Sequence, residues 1–129
     1  MNVQLSPEAF QCLEVLRFIP QKPRTAGFVL GHRRGRTFFV EKIFPFEKVF
    51  SLPLENFHSL AQVFGGKLIG FFSLNSDQKK VQRILKPLGY GKLFLDVHLD
   101  TRKRVSLKSY IIDYDQEFYL SPLKLTSPR

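Results

Sequence analysis

A short, almost continuous apolar segment, 67–72, constrains the fold of this chain more than any other feature. After Lys67 it reads Leu-Ile-Gly-Phe-Phe, without the alternation of polar and apolar residues that a half-exposed strand shows. It is also far too short to span a bilayer. The segment therefore predicts a strand buried on both faces, which requires a folded core around it. The chain can supply that core, since it has 129 residues of which 43% are hydrophobic.

Helices and hairpins are predicted on either side of this strand. Ser6-Pro7-Glu8 is a typical helix start, because Ser can accept a hydrogen bond from a free backbone amide and Pro is tolerated at the first helical position. Cys12 falls on the apolar side of this helix, where we expect a buried thiol. The expected elements are, in order, a helix over about 7–18, strands at 26–30 and 36–44, a helix over about 53–64, the strand 67–72, a short helix over about 75–86, strands at 93–98 and 104–112, and a strand at 117–120. We expect one domain over 1–120 and a flexible tail over 121–129.

Four local segments, in this order, resemble the MPN (JAB) domain, the fold of JAMM-type metallopeptidases. They are the Leu5 to Ala9 helix start, the strand 26–31, the strand 40–45 that runs out to a proline, and the strand 68–72. The resemblance covers roughly the first three-quarters of the chain. It implies an α/β fold class, with a mixed central β-sheet flanked by about three helices.

The same resemblance implies a zinc site whose ligands this chain lacks. Active members of the family bind zinc with two His residues spaced one residue apart and a downstream Asp, and use an upstream Glu as general base. The positions that correspond here are Arg24, Thr25, Ser73, Asn75, Arg83 and Lys86. A hydroxyl, an amide and several cations cannot replace imidazole and carboxylate ligands. We therefore expect no catalytic residue, no metal and no cofactor at this site.

A second arrangement of polar residues lies on a predicted strand. Asp96, His98 and Asp100 alternate, so their side chains would share one face and could in principle bind a cation. A solvated outer face of the strand, with Leu95 and Val97 inward, explains the same pattern, and we favour that simpler interpretation.

Positively charged residues concentrate in three clusters and give the chain a formal net charge of +9. Such a charge attracts polyanions, although charged turns and helix surfaces also serve solubility alone. The candidate anion-binding or partner-binding residues are His32, Arg33, Arg34 and Arg36 on the first hairpin, Lys79, Lys80, Arg83 and Lys86 on the third helix, and Arg102, Lys103, Arg104 and Lys108 on the last hairpin. Tyr90 and Tyr110 are candidate groups for stacking on bases.

Three functions are compatible with these features. The resemblance favours a catalytically inactive MPN-like domain that acts as an interaction or scaffolding module, with a protein partner or self-association. The basic clusters favour a nucleic-acid-binding protein as the alternative, and a hydrolase with a repurposed, metal-free pocket is a further alternative. No targeting segment or membrane span is visible, so we expect a cytoplasmic location.

Overall fold

The computed structural model describes residues 1–15, 26–45, 59, 62–74, 90–99 and 105–126. The elements in these ranges are β1 (Asn2–Leu5), α1 (Pro7–Val15), β2 (Ala26–Arg34), β3 (Thr37–Pro45), a 3-10 turn (Gly65–Lys67), β4 (Leu68–Leu74), β5 (Leu93–Leu99), β6 (Val105–Asp115) and β7 (Glu117–Thr126). The strands form one closed barrel in the order β1-β3-β2-β4-β5-β6-β7, and β7 pairs back onto β1.

This architecture shows that both the predicted α/β class and the MPN resemblance were wrong. An MPN domain is an α/β sandwich with several helices, whereas this chain is mostly strand, with two short helices among the residues that the structure describes. The closure of the sheet depends on β1, which the sequence did not predict. Asn2–Leu5 pairs in parallel with both β3 and β7, so the sheet has no free edge.

Strand β1 forms because a short alternating segment finds a partner on each side. Val3 and Leu5 point into the barrel and are buried, while Asn2 and Gln4 are exposed. The backbone amide of Asn2 donates to the carbonyl of Arg36 at 2.8 Å. On its other side, β1 is in register with residues 124–126 of β7. Strand β7 thus continues through Thr126, past residue 121, where the sequence predicts a loose tail.

Helix α1 covers one end of the barrel. Ser6 caps it as expected, because its Oγ accepts a hydrogen bond from the backbone amide of Ala9 at 3.0 Å. Ala9 and Leu13 are fully buried and belong to the cluster that fills the barrel. Cys12 is exposed, so the prediction of a buried thiol was wrong. We call this end the helix end, and the opposite end, which carries the β2–β3 turn (34–37) and the β6–β7 turn (115–117), the turn end.

The predicted buried strand is confirmed as β4, of which all seven residues are buried. Its inner side chains, such as Phe72, join the barrel core, and its outer ones, such as Phe71, join a second apolar cluster with Phe28, Phe94 and Ile112. An ideal Cβ added at Gly70 would lie 2.2 Å from a backbone oxygen of β5, so this close approach requires glycine.

Some predicted elements fall partly or wholly outside the described residues. Residues 59 and 62–64 are helical, within the predicted helix 53–64, and the predicted helix 75–86 lies outside the described ranges. Among the residues that are described, no helix combines the length and the apolar character needed to cross a bilayer.

Candidate functional site

The barrel brings two charged turns to the same end. Strand β2 is antiparallel to β4, and β4 is parallel to β5, so β2 ends where β5 begins. Strand β6 is antiparallel to β5 and therefore also ends there. On the other side of the barrel, β1 lies between β3 and β7 and links the two hairpins. The sheet order thus places the β2–β3 and β6–β7 turns around one opening.

One of these turns is basic. Arg33, Arg34 and Arg36, which we call the basic turn, are all exposed around Gly35, whose φ is 61°. The Nε of Arg33 donates to the carbonyl of Gly35 at 3.0 Å, and its guanidinium carbon lies 5.2 Å from the ring centroid of Phe38 in the barrel core. Arg33 is thereby held over the barrel opening by a hydrogen bond and a cation–π contact.

His32 does not act with the basic turn. Its Nδ1 lies 2.6 Å from an oxygen of Glu41, and its ring stacks on Phe39 with centroids 4.9 Å apart. Three of the four candidates predicted on this hairpin therefore lie at the turn end. The fourth, His32, contacts Glu41 and Phe39 of β3.

The other turn is acidic and aromatic. Asp113, Asp115 and Glu117, which we call the acidic turn, flank Gln116, whose φ of 64° closes the hairpin. The phenol of Tyr119 lies 3.5 Å from Asp113, and the charge of Asp113 is the main cause that raises the pKa of Tyr119 above its usual value.

Three exposed tyrosines border the acidic turn. Tyr90, Tyr114 and Tyr119 have 59%, 53% and 40% of their surface accessible. Tyr114 packs against Phe118, with ring centroids 4.9 Å apart, and Tyr90 is close enough to Tyr119 to influence its pKa. Large aromatic side chains left in solvent at one place are typical of binding surfaces.

A cleft of about 360 Å³ separates the two turns, a volume in the range of sites that hold small ligands or partner side chains. Its walls carry one charge of each sign, Arg33 and Asp113, and Ile111 and Leu123 line its apolar part. The further lining residues are Met1, Tyr90, Gly91, Ile112, Ser121 and Pro122. Within the described ranges, no ion pair joins the basic turn to the acidic turn.

Ser73, a predicted zinc-site position, and the predicted Asp96 and His98 lie elsewhere, on the outer face of β4 and β5. Ser73 is in register with Asp96 across the parallel pair, and Nε2 of His98 lies 3.0 Å from a carboxylate oxygen of Asp96. Ser73 is fully buried, and its hydroxyl has no hydrogen-bond partner in the described part of the chain. Asn75 and Asp100 lie outside the described residues. Among those described, no cluster of three metal-ligating side chains occurs.

Of the three predicted basic clusters, the one on the first hairpin lies wholly within the described residues. Leu99 and Val105 are paired in register and bracket residues 100–104, and they lie at the helix end. The basic turn lies at the opposite end, roughly 20 Å away for a strand of this length. The predicted residues outside the described ranges are Arg24, Thr25, Lys79, Lys80, Arg83, Lys86, Arg102, Lys103 and Arg104. Tyr110, a predicted stacking group, instead packs on Phe94 in the second apolar cluster, outside the barrel.

The acidic turn and two of its tyrosines were missed from the sequence. The pattern predicted a strand ending at 112 and another beginning at 117, which left Asp113 to Gln116 as a plain connection. The alternation of Ile111, Asp113 and Asp115 was the available signal, because it continues the inward face of β6 beyond residue 112.

Comparison with known proteins supports the fold alone. No family model matches the chain, and no curated protein matches it. The chain is similar to the solution structure of protein DSY2949 from Desulfitobacterium hafniense, with 16% sequence identity and a TM-score of 0.67, over 100% of this chain and 94% of that one. At this level of identity the likeness extends to the backbone architecture and carries no statement about activity.

Proposed function

We propose that the protein is an interaction module that binds a protein partner through its turn end. The observation that carries this proposal is that one cleft is lined by Tyr90, Arg33 and Asp113, and that the hairpin carrying Asp113 exposes two further tyrosines, Tyr114 and Tyr119. Tyr and Arg are the residue types that most often dominate binding energy at protein interfaces. A purely solubilising surface needs charge but has no need of exposed tyrosines.

The cleft adds a place where a partner side chain can be buried. Arg33 offers a guanidinium fixed over Phe38, and Asp113 offers a carboxylate on the opposite wall. The apolar part, lined by Ile111 and Leu123, removes water from whatever enters. A protruding polar or aromatic side chain of a partner could therefore make a directed hydrogen bond and an apolar contact at once.

The scaffold favours binding without large rearrangement. Both turns are held by antiparallel ladders, β2 with β3 and β6 with β7, in a sheet that closes on itself. A surface on such a scaffold loses little conformational freedom when a partner docks, and this improves affinity.

The experiment is a quantitative capture of partners from cell extract by the wild-type chain and by matched variants. Tyr114→Ser and Tyr119→Ser each remove an exposed ring at the turn end, and Val15→Ser removes an exposed apolar side chain from α1 at the other end. We expect each tyrosine variant to reduce the recovery of a specific partner about tenfold or more, and Val15→Ser to leave it unchanged. Equal recovery by all three variants would place the interface elsewhere and defeat the proposal.

Nucleic-acid binding is the second candidate, supported by the net charge of +9 and by the exposed basic turn. The described residues hold eight of the 20 Lys and Arg residues and seven of the 11 Asp and Glu residues, so they are close to neutral. Binding to mixed oligonucleotides that falls steeply with salt would favour this candidate. A metal-free hydrolase gains no support from Ser73, which is fully buried, and a cytoplasmic location stays a prediction.

A further inference from the structure

The turn end has two halves of opposite charge, and no described residue forms an ion pair with either half. The basic turn presents three guanidinium groups and no acid, and the acidic turn presents three carboxylates and no base. Arg33 of one half and Asp113 of the other line the same cleft, yet no ion pair joins the two halves among the described residues. Each half therefore remains available to a group of opposite charge on another molecule.

We infer that the partner of this surface is a second copy of the chain, which rests on the proposed function of the turn end. A surface with one positive and one negative half complements itself after a two-fold rotation about an axis between the halves. In that arrangement, the basic turn of each copy meets the acidic turn of the other. The exposed ring of Tyr119, on the same face of the hairpin as Asp113, then lies where the two surfaces can exclude water.

Other classes of occupant fit one half of the surface and are opposed by the other. A nucleic acid would pair with Arg34 and Arg36 but would be repelled by Asp115 and Glu117. A uniformly basic partner would pair with Asp115 and Glu117 but would be repelled by Arg34 and Arg36. A second copy carries both the basic turn and the acidic turn in the same relative positions, because it has the same fold.

The association is weak and depends on salt. Its ion pairs join exposed side chains, which contribute little each and are screened as ionic strength rises. The dimer accordingly forms at low salt and high protein concentration and dissociates when salt is added.

The test reverses the charge of each half in turn. One variant carries Arg34→Glu with Arg36→Glu, and the other carries Asp115→Lys with Glu117→Lys. In a dimer of either variant, like charges would face each other at both contacts. Sedimentation equilibrium should therefore show association weakened at least about tenfold. An equimolar mixture pairs opposite charges at both contacts, and association should return to within about threefold of the wild type.

The mixture also controls for folding, because two misfolded variants cannot restore a specific dimer. Lys42→Glu on β3 and Glu8→Lys on α1 reverse exposed charges away from the turns and should leave association unchanged. A mixture that stays monomeric, or a wild-type dimer insensitive to both reversals, would overturn the two-copy arrangement.

Loss of the dimer and loss of another captured partner are separate observations. A wild-type chain that stays monomeric at low salt, up to about 500 µM, overturns the self-association inferred for this weak class of interface. The proposed function then still stands if the tyrosine variants lose a captured partner, and it fails if they retain that partner as the wild type does.

Discussion

Two buried serines should respond in opposite directions to the same substitution. Ser73 on β4 and Ser109 on β6 are 0% and 3% exposed. The hydroxyl of Ser109 donates to the carbonyl of Leu123 at 3.0 Å, whereas the hydroxyl of Ser73 finds no partner among the residues that the structure describes. Substitution by alanine removes the hydroxyl from each site and leaves the rest of the side chain in place.

The expected magnitudes follow from what each hydroxyl gains or loses on folding. Ser109→Ala removes a made hydrogen bond, so the free energy of unfolding should fall by about 1 kcal/mol. Ser73→Ala removes a group that gives up its bonds to water and gains none, a cost of roughly 1–3 kcal/mol, so the free energy of unfolding should rise by about 1 kcal/mol or more. The two variants should therefore differ by about 2 kcal/mol.

Urea unfolding measures this difference. With a slope of roughly 1–3 kcal/mol/M for a small domain, the two midpoints should be separated by about 1 M, with the slope itself unchanged. Ser106→Ala on the exposed face of β6 is the matched control and should stay within about 0.5 kcal/mol of the wild type. If Ser73→Ala lowers stability by about 1 kcal/mol, its hydroxyl is bonded in the folded protein and the reasoning is refuted.

Three further predictions test the barrel and the turn end. Gly70→Ala should reduce the free energy of unfolding by about 3 kcal/mol or more, because an added Cβ would lie 2.2 Å from a backbone oxygen of β5. A Cβ at Gly66 would meet no described atom within 4 Å, so Gly66→Ala should not destabilise, and equal effects of the two substitutions in urea unfolding would contradict this. Asp113→Asn should lower the pKa of Tyr119 towards its usual 10.0 in a near-ultraviolet titration, and an unchanged pKa would exclude their contact. Burial lowers the pKa of Lys92 below its usual 10.5, so the folded chain binds fewer protons than the unfolded chain between the two pKa values. The wild type should therefore gain stability relative to Lys92→Met as pH rises through that window. The same pH dependence of stability in both proteins would contradict the lowered pKa.

Local patterns predicted the individual strands better than their arrangement. The apolar run of β4 and the two hairpins that contain β2 and β3, and β5 and β6, are all strands in the structure. Each has enough alternating or continuous apolar residues to identify it without knowledge of its partners. The resemblance to the MPN domain used these same segments, and such segments recur in folds of different classes.

The fold class depended on two segments that carry little local signal. Asn2–Leu5 is four residues long, too short for its alternation to stand out. Residues 121–126 include Pro122, which suggested a tail, although Pro122 is in register with Tyr110 within β7. The pairing of these two segments closes the barrel, and such non-local pairing is not readable from either segment alone.

Only the basic turn of the candidate site was predicted from the sequence, because the position of the acidic turn depends on non-local strand pairing. The basic turn was identified directly, because Arg33, Arg34 and Arg36 surround a glycine between two strands. Its proximity to Asp113 depends on the order of strands around the barrel, which brings together residues about 80 positions apart in the chain. The sequence therefore supplied one wall of the cleft and could not supply the other.

Strand β1 closes the barrel and so places the two turns around one opening. The most direct measurement is the set of nuclear Overhauser contacts between the backbone protons of 2–4 and those of 124–126 in an isotope-labelled sample. The structure predicts parallel-strand contacts in the register of Asn2 with Lys124 and Gln4 with Thr126, alongside those between β1 and β3. Contacts from β1 to β3 alone, with none to β7, would mean an open sheet and would contradict the account.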